Sequence, residues 1–184
     1  MSNIDGIPFS DMYSYVRQFL LLLYDRPDPQ RSLELNKAHQ LTCLRPFLNV
    51  IDYQNYITHH NPEKITLFTS VEKITNWDAN YLATPEQLHQ LHIYCETLSQ
   101  HVTISNWNER NQWKNKRIVD SKYLDFELLL AAGRHIGEIL HGPYGADEVR
   151  EDVSAEGERI CRLMSEYFAN CGTRQSVEVQ EILH

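Results

Sequence analysis

The sequence predicts a mainly α protein: one domain, a bundle of six to eight helices, with room for one or two short strands near 47–58, 65–71 or 101–105. Three observations predict it. Apolar residues recur at helical spacing along several stretches, and cap-type residues with prolines stand where helices would begin. Gly142-Pro143-Tyr144-Gly145 is a tight turn between the two longest periodic segments, which makes them antiparallel neighbours.

The elements follow in order. Ser10 and Asp11 are cap-type residues, and Met12, Val16, Leu20 and Leu23 fall on one face after them, so a first helix is predicted from about 11 to 24. Arg26-Pro27-Asp28-Pro29 ends it, because paired prolines do not fit a helix interior. Leu35, Ala38 and Leu41 suggest a second helix ending near Arg45. Pro46 can open a third, with Phe47, Val50, Ile51 and Ile57 on one face, although this Val, Ile and Tyr content also suits a strand. Asn61-Pro62-Glu63 has the form of a helix start. Ile65, Phe68, Val71 and Ile74 continue it as a helix; the alternation of Ile65, Leu67, Thr69 and Val71 is the competing strand pattern.

Thr84-Pro85-Glu86-Gln87 is a capping-box pattern, predicting a helix to about Gln100 with Leu88, Leu91, Cys95 and Leu98 inward. His101 to Ile104 suits a short strand. The stretch 106–117 is polar and asparagine-rich, with two tryptophans. Residues 121–141 form the most apolar helix. Leu124, Phe126, Leu128, Leu129, Leu130, Ile136, Ile139 and Leu140 cover most of its circumference, which marks a central buried helix. Ala131, Ala132, Gly133 and Gly137 would let a neighbour approach closely. The last long helix spans about 146–170, with Val149, Val153, Ile160, Met164 and Tyr167 on one stripe and Gly172 as its stop. Residues 1–9 and 173–184 are predicted as flexible tails.

The 184 residues carry 25 acidic and 17 basic side chains, a net charge of -8. A chain this long can bury a core without disulfide or metal staples. Its acidity argues against bulk affinity for nucleic acid or anionic membrane. Cys43, Cys95, Cys161 and Cys171 show no C-x-x-C spacing, so reduced thiols in a cytoplasmic protein are expected. Met1 to Ser10 lacks the basic start of a signal peptide, and the longest apolar run, Phe19 to Tyr24, is far short of the ~20 residues that span a bilayer. Neither a nucleotide-binding glycine loop nor a nucleophile elbow is present, and no cofactor is expected.

Four groups of residues carry candidate chemistry. On the central helix, Glu127, Arg134, Glu138 and His141 lie within about 80° on the helical wheel. Arg134, Glu138 and His141 are the catalytic candidates, because a carboxylate beside an imidazole can tune its pKa for acid/base work. The bland alternative is a solvated face. Arg134-His135 followed by His141 resembles the Arg, polar residue, spacer, His motif of HEPN-domain ribonucleases, which are compact helical bundles. The resemblance covers eight residues. It implies RNA-cleaving or nucleotide-binding roles for Arg134 and His141.

Metal is the second possibility. His89, His92 and Cys95 recur at i, i+3 and i+6, and imidazole and thiolate are soft-metal ligands. Glu138-Ile139-Leu140-His141 recurs as Glu181-Ile182-Leu183-His184, the paired element of a di-iron bundle. A buried thiol on an apolar face explains Cys95 without any metal.

The third group is the segment 107–117. It holds Trp107, Arg110, Trp113, Lys114 and Arg117, and a local charge of +3 from four bases and Glu109. Tryptophan and arginine are over-represented at binding hot spots. The fourth is the acidic last helix, where Asp147, Glu148, Glu151, Asp152, Glu156, Glu158 and Glu166 face three arginines. These features point to a non-enzymatic protein that binds another protein: a small acidic adaptor, chaperone-like subunit, or inhibitor or immunity-type protein. The alternatives are a HEPN-like ribonuclease or nucleotide-binding protein, and a metal-binding helical bundle.

Overall fold

Five short segments decide the architecture, and all five are strands. They are β1 (Phe19–Tyr24), β2 (Leu44–Pro46), β3 (Lys64–Ser70), β4 (Leu88–Cys95) and β5 (Lys116–Asp120). They pair in the order β2-β1-β3-β4-β5, and every pairing is parallel. The computed structural model describes residues 19–24, 44–47, 50–60, 64–75, 87–110, 116–141 and 147–182. Its helices are α1 (Val50–His60), α2 (Val71–Thr75), α3 (Leu98–Arg110), α4 (Leu124–His141) and α5 (Asp147–Ile182). A 3₁₀ turn, Ser121–Tyr123, leads into α4. The Asp120 side chain caps it by accepting from the Lys122 backbone N–H.

Parallel neighbours need crossover connections, and helices therefore cover both faces of the sheet. On one face Ile65, Leu67, Leu91, Ile93 and Cys95 pack with Tyr53 and Ile57 of α1, Val71 and Ile74 of α2, and Ile104 of α3. On the other, Phe68, Tyr94 and Val119 pack with Leu128, Ala132 and Ile136 of α4, and α5 closes over α4 through Val153, Ile160 and Leu163. Phe126 stacks on Tyr167, while Ile136 lies against Gly157. The partner number falls as the α4 number rises, so the two helices are antiparallel.

The predicted helical bundle is thus wrong: the protein is mixed α/β, a parallel sheet between helical layers. The reason lies in how doubly covered strands read. A strand buried on both faces is a near-continuous apolar run, without the alternation that identifies a half-exposed strand. β3 is buried at six of its seven positions. Phe19–Tyr24, predicted as the end of a first helix, is β1, and the expected helix end near Arg45 is β2. The expected helices after Pro62 and Thr84 are β3, followed by the short α2, and β4. The expected strand at 101–104 lies inside α3. The central helix and its long partner stand as α4 and α5, the latter running on to Ile182. The predicted signals at 10–11, 26–29, 61–63, 84–86 and 142–145, and the tail 1–9, lie outside the described residues. No helix among the described residues is long and apolar enough to cross a membrane.

Candidate functional site

Alternation along the strands sorts side chains between the two faces. Phe68, Tyr94 and Val119 belong to the core beneath α4, so Thr66, Gln90, His92 and Arg117, two positions away along their strands, share that face. Arg117, His92 and Phe68 stand in one row across β5, β4 and β3. β4 also carries one extra residue, His89, where Ile65 pairs with Leu88 and Thr66 with Gln90. Such a bulge re-aims the side chains after it.

The matching groups on α4 are Glu127, Arg134, His135 and Glu138, at i, i+7, i+8 and i+11 on one helix face. Glu127 and His135 turn under the helix and are buried, whereas Arg134 and Glu138 stay exposed at its side. An Arg117 guanidinium nitrogen lies 2.7 Å from Glu127 Oε1. The other Glu127 oxygen, Oε2, lies 4.0 Å from His92 Nδ1. His92 stacks on Phe68 with ring centroids 4.3 Å apart, and its Nε2 lies 3.3 Å from Gln90 Oε1. Two turns further along α4, His135 Nε2 lies 2.8 Å from Thr66 Oγ1. Lys64 donates to Glu138 at 3.0 Å where the row meets solvent.

Burial lowers the His92 pKa to about 4, assisted by the charges of Arg117, Arg134 and His135. Burial likewise lowers His135 to about 4; Glu138 opposes the shift, and His89 and Lys64 add to it. Both rings are therefore neutral at physiological pH. A general acid or base works best with a pKa near the working pH. Neutral imidazoles at about 4 suit hydrogen-bond recognition better than proton transfer.

The sequence candidates land unevenly on this arrangement. Arg117 and His92 came from separate candidate groups, and the fold brings both to Glu127, with the charge of Arg134, from a third group, acting on His92. The catalytic trio Arg134, Glu138 and His141 is exposed, and Glu138 is engaged by Lys64. The proposed ligand set His89, His92 and Cys95 sits on a strand, where His92 and Cys95 face opposite sides of the sheet. Burial, with Asp120 adding, pushes the Cys95 thiol up to about 11, away from the thiolate form. No cluster of metal-ligating side chains is found among the described residues. Glu181 has no described side chain and His184 lies outside the described residues.

Trp107 is half-buried and packs against the core beneath α3, and Arg110 closes that helix. Trp113 and Lys114 lie outside the described residues. Among the acids of the last helix, Glu156 is buried and held by both Arg159 nitrogens at 2.8 and 3.0 Å. Glu151, Asp152, Glu158 and Glu166 are exposed.

Sequence reasoning passed over Thr66 and Gln90, gave His135 no role, and placed Glu127 on a polar stripe that could line a pocket or face solvent. One signal was available: Gln90 and His92 are polar residues two apart within an apolar run, the spacing that puts both on one strand face. The residues of the HEPN-like motif sit on α4 beside a parallel sheet, so the bundle that the resemblance implied is absent. No protein family, curated protein or solved structure matches this chain.

Proposed function

We propose that this chain is an interaction domain that docks a partner protein on its α3–β5 side. One observation carries the reading. Leu98 and Val102, one turn apart on α3, are 81% and 57% exposed, while Ile104 of the same helix is fully buried. Ile118 of β5, in register with buried Ile93 on the α3 face of the sheet, is 36% exposed. Single exposed apolar residues are ordinary; three on two consecutive elements are a candidate contact patch.

Two further features support it. Even without Arg117, which Glu127 holds on the other face of the sheet, the sequence joining α3 to β5 carries three bases, Arg110, Lys114 and Lys116, against one acid, Glu109, which favours a partner presenting apolar side chains ringed by acids. β5 ends the strand order, and among the described residues nothing pairs with its outer edge. An open edge can accept an added strand. The compartment we propose is the cytoplasm, since Cys161 and Cys171 are exposed free thiols of the kind a reducing compartment preserves.

The test is paired affinity capture from the native host, wild type against Leu98→Asp/Val102→Asp. Both positions are exposed, so the double variant keeps its thermal midpoint. It loses a specific partner at least tenfold, as expected when apolar contacts near the centre of an interface are replaced by charge. An unchanged set of captured proteins contradicts the reading.

A further inference from the structure

His92 and Glu127 leave an unfinished arrangement beneath α4. Both side chains are more than nine-tenths buried, at 5% and 7% exposure. Among the described residues, neither His92 Nδ1 nor Glu127 Oε2 has a hydrogen-bond partner. They face each other across 4.0 Å, beyond hydrogen-bond reach.

The chemistry of the gap follows from the other ends of the two side chains. His92 Nε2 lies 3.3 Å from Gln90 Oε1, and with the amide in that orientation, its oxygen able only to accept, the ring hydrogen belongs on Nε2. Nδ1 is then a bare lone pair. Glu127 Oε1 is occupied by Arg117, and Oε2 presents a second acceptor. Two buried acceptors converge with no proton between them. A group about 2.8–3.0 Å from each, carrying two hydrogens of its own, satisfies both.

The surroundings narrow the donor. The charges of Arg117 and Arg134 both act on His92, which disfavours a cationic amine. Arg117 is already engaged by Glu127, whereas Arg134 is exposed on the solvent side of α4. Arg117 is itself half-exposed, so the pair lies one side chain below the surface. We propose that His92 and Glu127 recognise the neutral NH2 group of a small ligand, an amide or an aromatic amine, whose anionic end is met by Arg134. This site is independent of the α3–β5 surface.

Titration calorimetry with two matched probe pairs tests it. AMP is compared with IMP, and N-acetylglutamine with N-acetylglutamate; only the first of each pair carries the NH2 group. The expected result is at least tenfold tighter binding of the NH2 member in one pair, and which pair discriminates separates an aromatic amine from a carboxamide. His92→Phe preserves the stacking on Phe68 and abolishes the discrimination. Arg134→Gln, at an exposed position, weakens the NH2 member through its anionic end and keeps the protein folded if His92→Phe does not. Equal binding within both pairs, or no binding at millimolar concentration, overturns the proposal and leaves a buried water as the occupant.

Discussion

The Arg117 guanidinium reaches 2.7 Å from Glu127 Oε1, tying the edge strand β5 to the first turn of α4. The carboxylate is buried and the arginine half-exposed. Removing the arginine strands a buried charge, which is costlier than losing a surface pair. Arg117→Ala is expected to destabilise the fold by roughly 2 kcal/mol, between the surface and buried limits. Arg117→Met/Glu127→Leu is expected to recover most of that loss, because the uncompensated charge goes with its partner. Urea denaturation of the single and double variants checks the pair.

His92 and His135 make stability pH-dependent in a defined direction. Their folded pKa values lie at about 4, below the usual 6.5. Between these values the unfolded chain binds protons that the folded chain refuses, so stability falls as pH drops through this window. It is fully present above about 6.5. Each shift corresponds to something on the order of 3 kcal/mol. His135→Gln is expected to remove about half of the histidine-dependent loss, read as a shallower decline of the thermal midpoint between pH 6.5 and 4 than in the wild type.

Gly137 lies within α4, and a Cβ added there meets nothing within 4 Å. Gly137→Ala is therefore expected to stabilise by about 0.5–1 kcal/mol, the helix-propensity and unfolded-chain gain. Gly157 contrasts with it. A Cβ there comes 3.2 Å from the Ile136 side chain, so Gly157→Ala is expected to gain less than Gly137→Ala. Thermal midpoints of the two variants rank them.

Trp107 was a candidate contact residue, but its side chain packs against the core beneath α3. Trp107→Ala is expected to cost about 2 kcal/mol, below the 3–5 of a fully buried tryptophan because the ring is half-exposed. Equilibrium unfolding measures this. A thermal midpoint equal to the wild type would return Trp107 to the contact surface.

The legible parts of the fold were those governed by one period. α4 and α5 each carry a helical repeat long enough to stand alone, and their neighbourhood follows from the short turn predicted between them. The strands were illegible for a local reason. Leu88, Leu91 and Cys95 fit a helix at i, i+3 and i+7, yet Leu91, Ile93 and Cys95 form the buried strand face, and the capping pattern at 84–87 tipped the balance. The site was legible only as fragments. Arg134 and Glu127 share a helix face, but their meeting with His92 and Arg117 depends on the β4–β5 register and on the passage of α4 over it. No spacing within the chain encodes that crossing.

In the proposed site a neutral imidazole, protonated on Nε2, faces the Glu127 carboxylate beneath α4. Long-range ¹H–¹⁵N NMR of the imidazole nitrogens measures this directly, with His92→Phe assigning the signals. An Nε2–H tautomer for His92 that persists to about pH 4 is the expected result. An Nδ1–H tautomer, or a His92 ring already doubly protonated at pH 6, would contradict it.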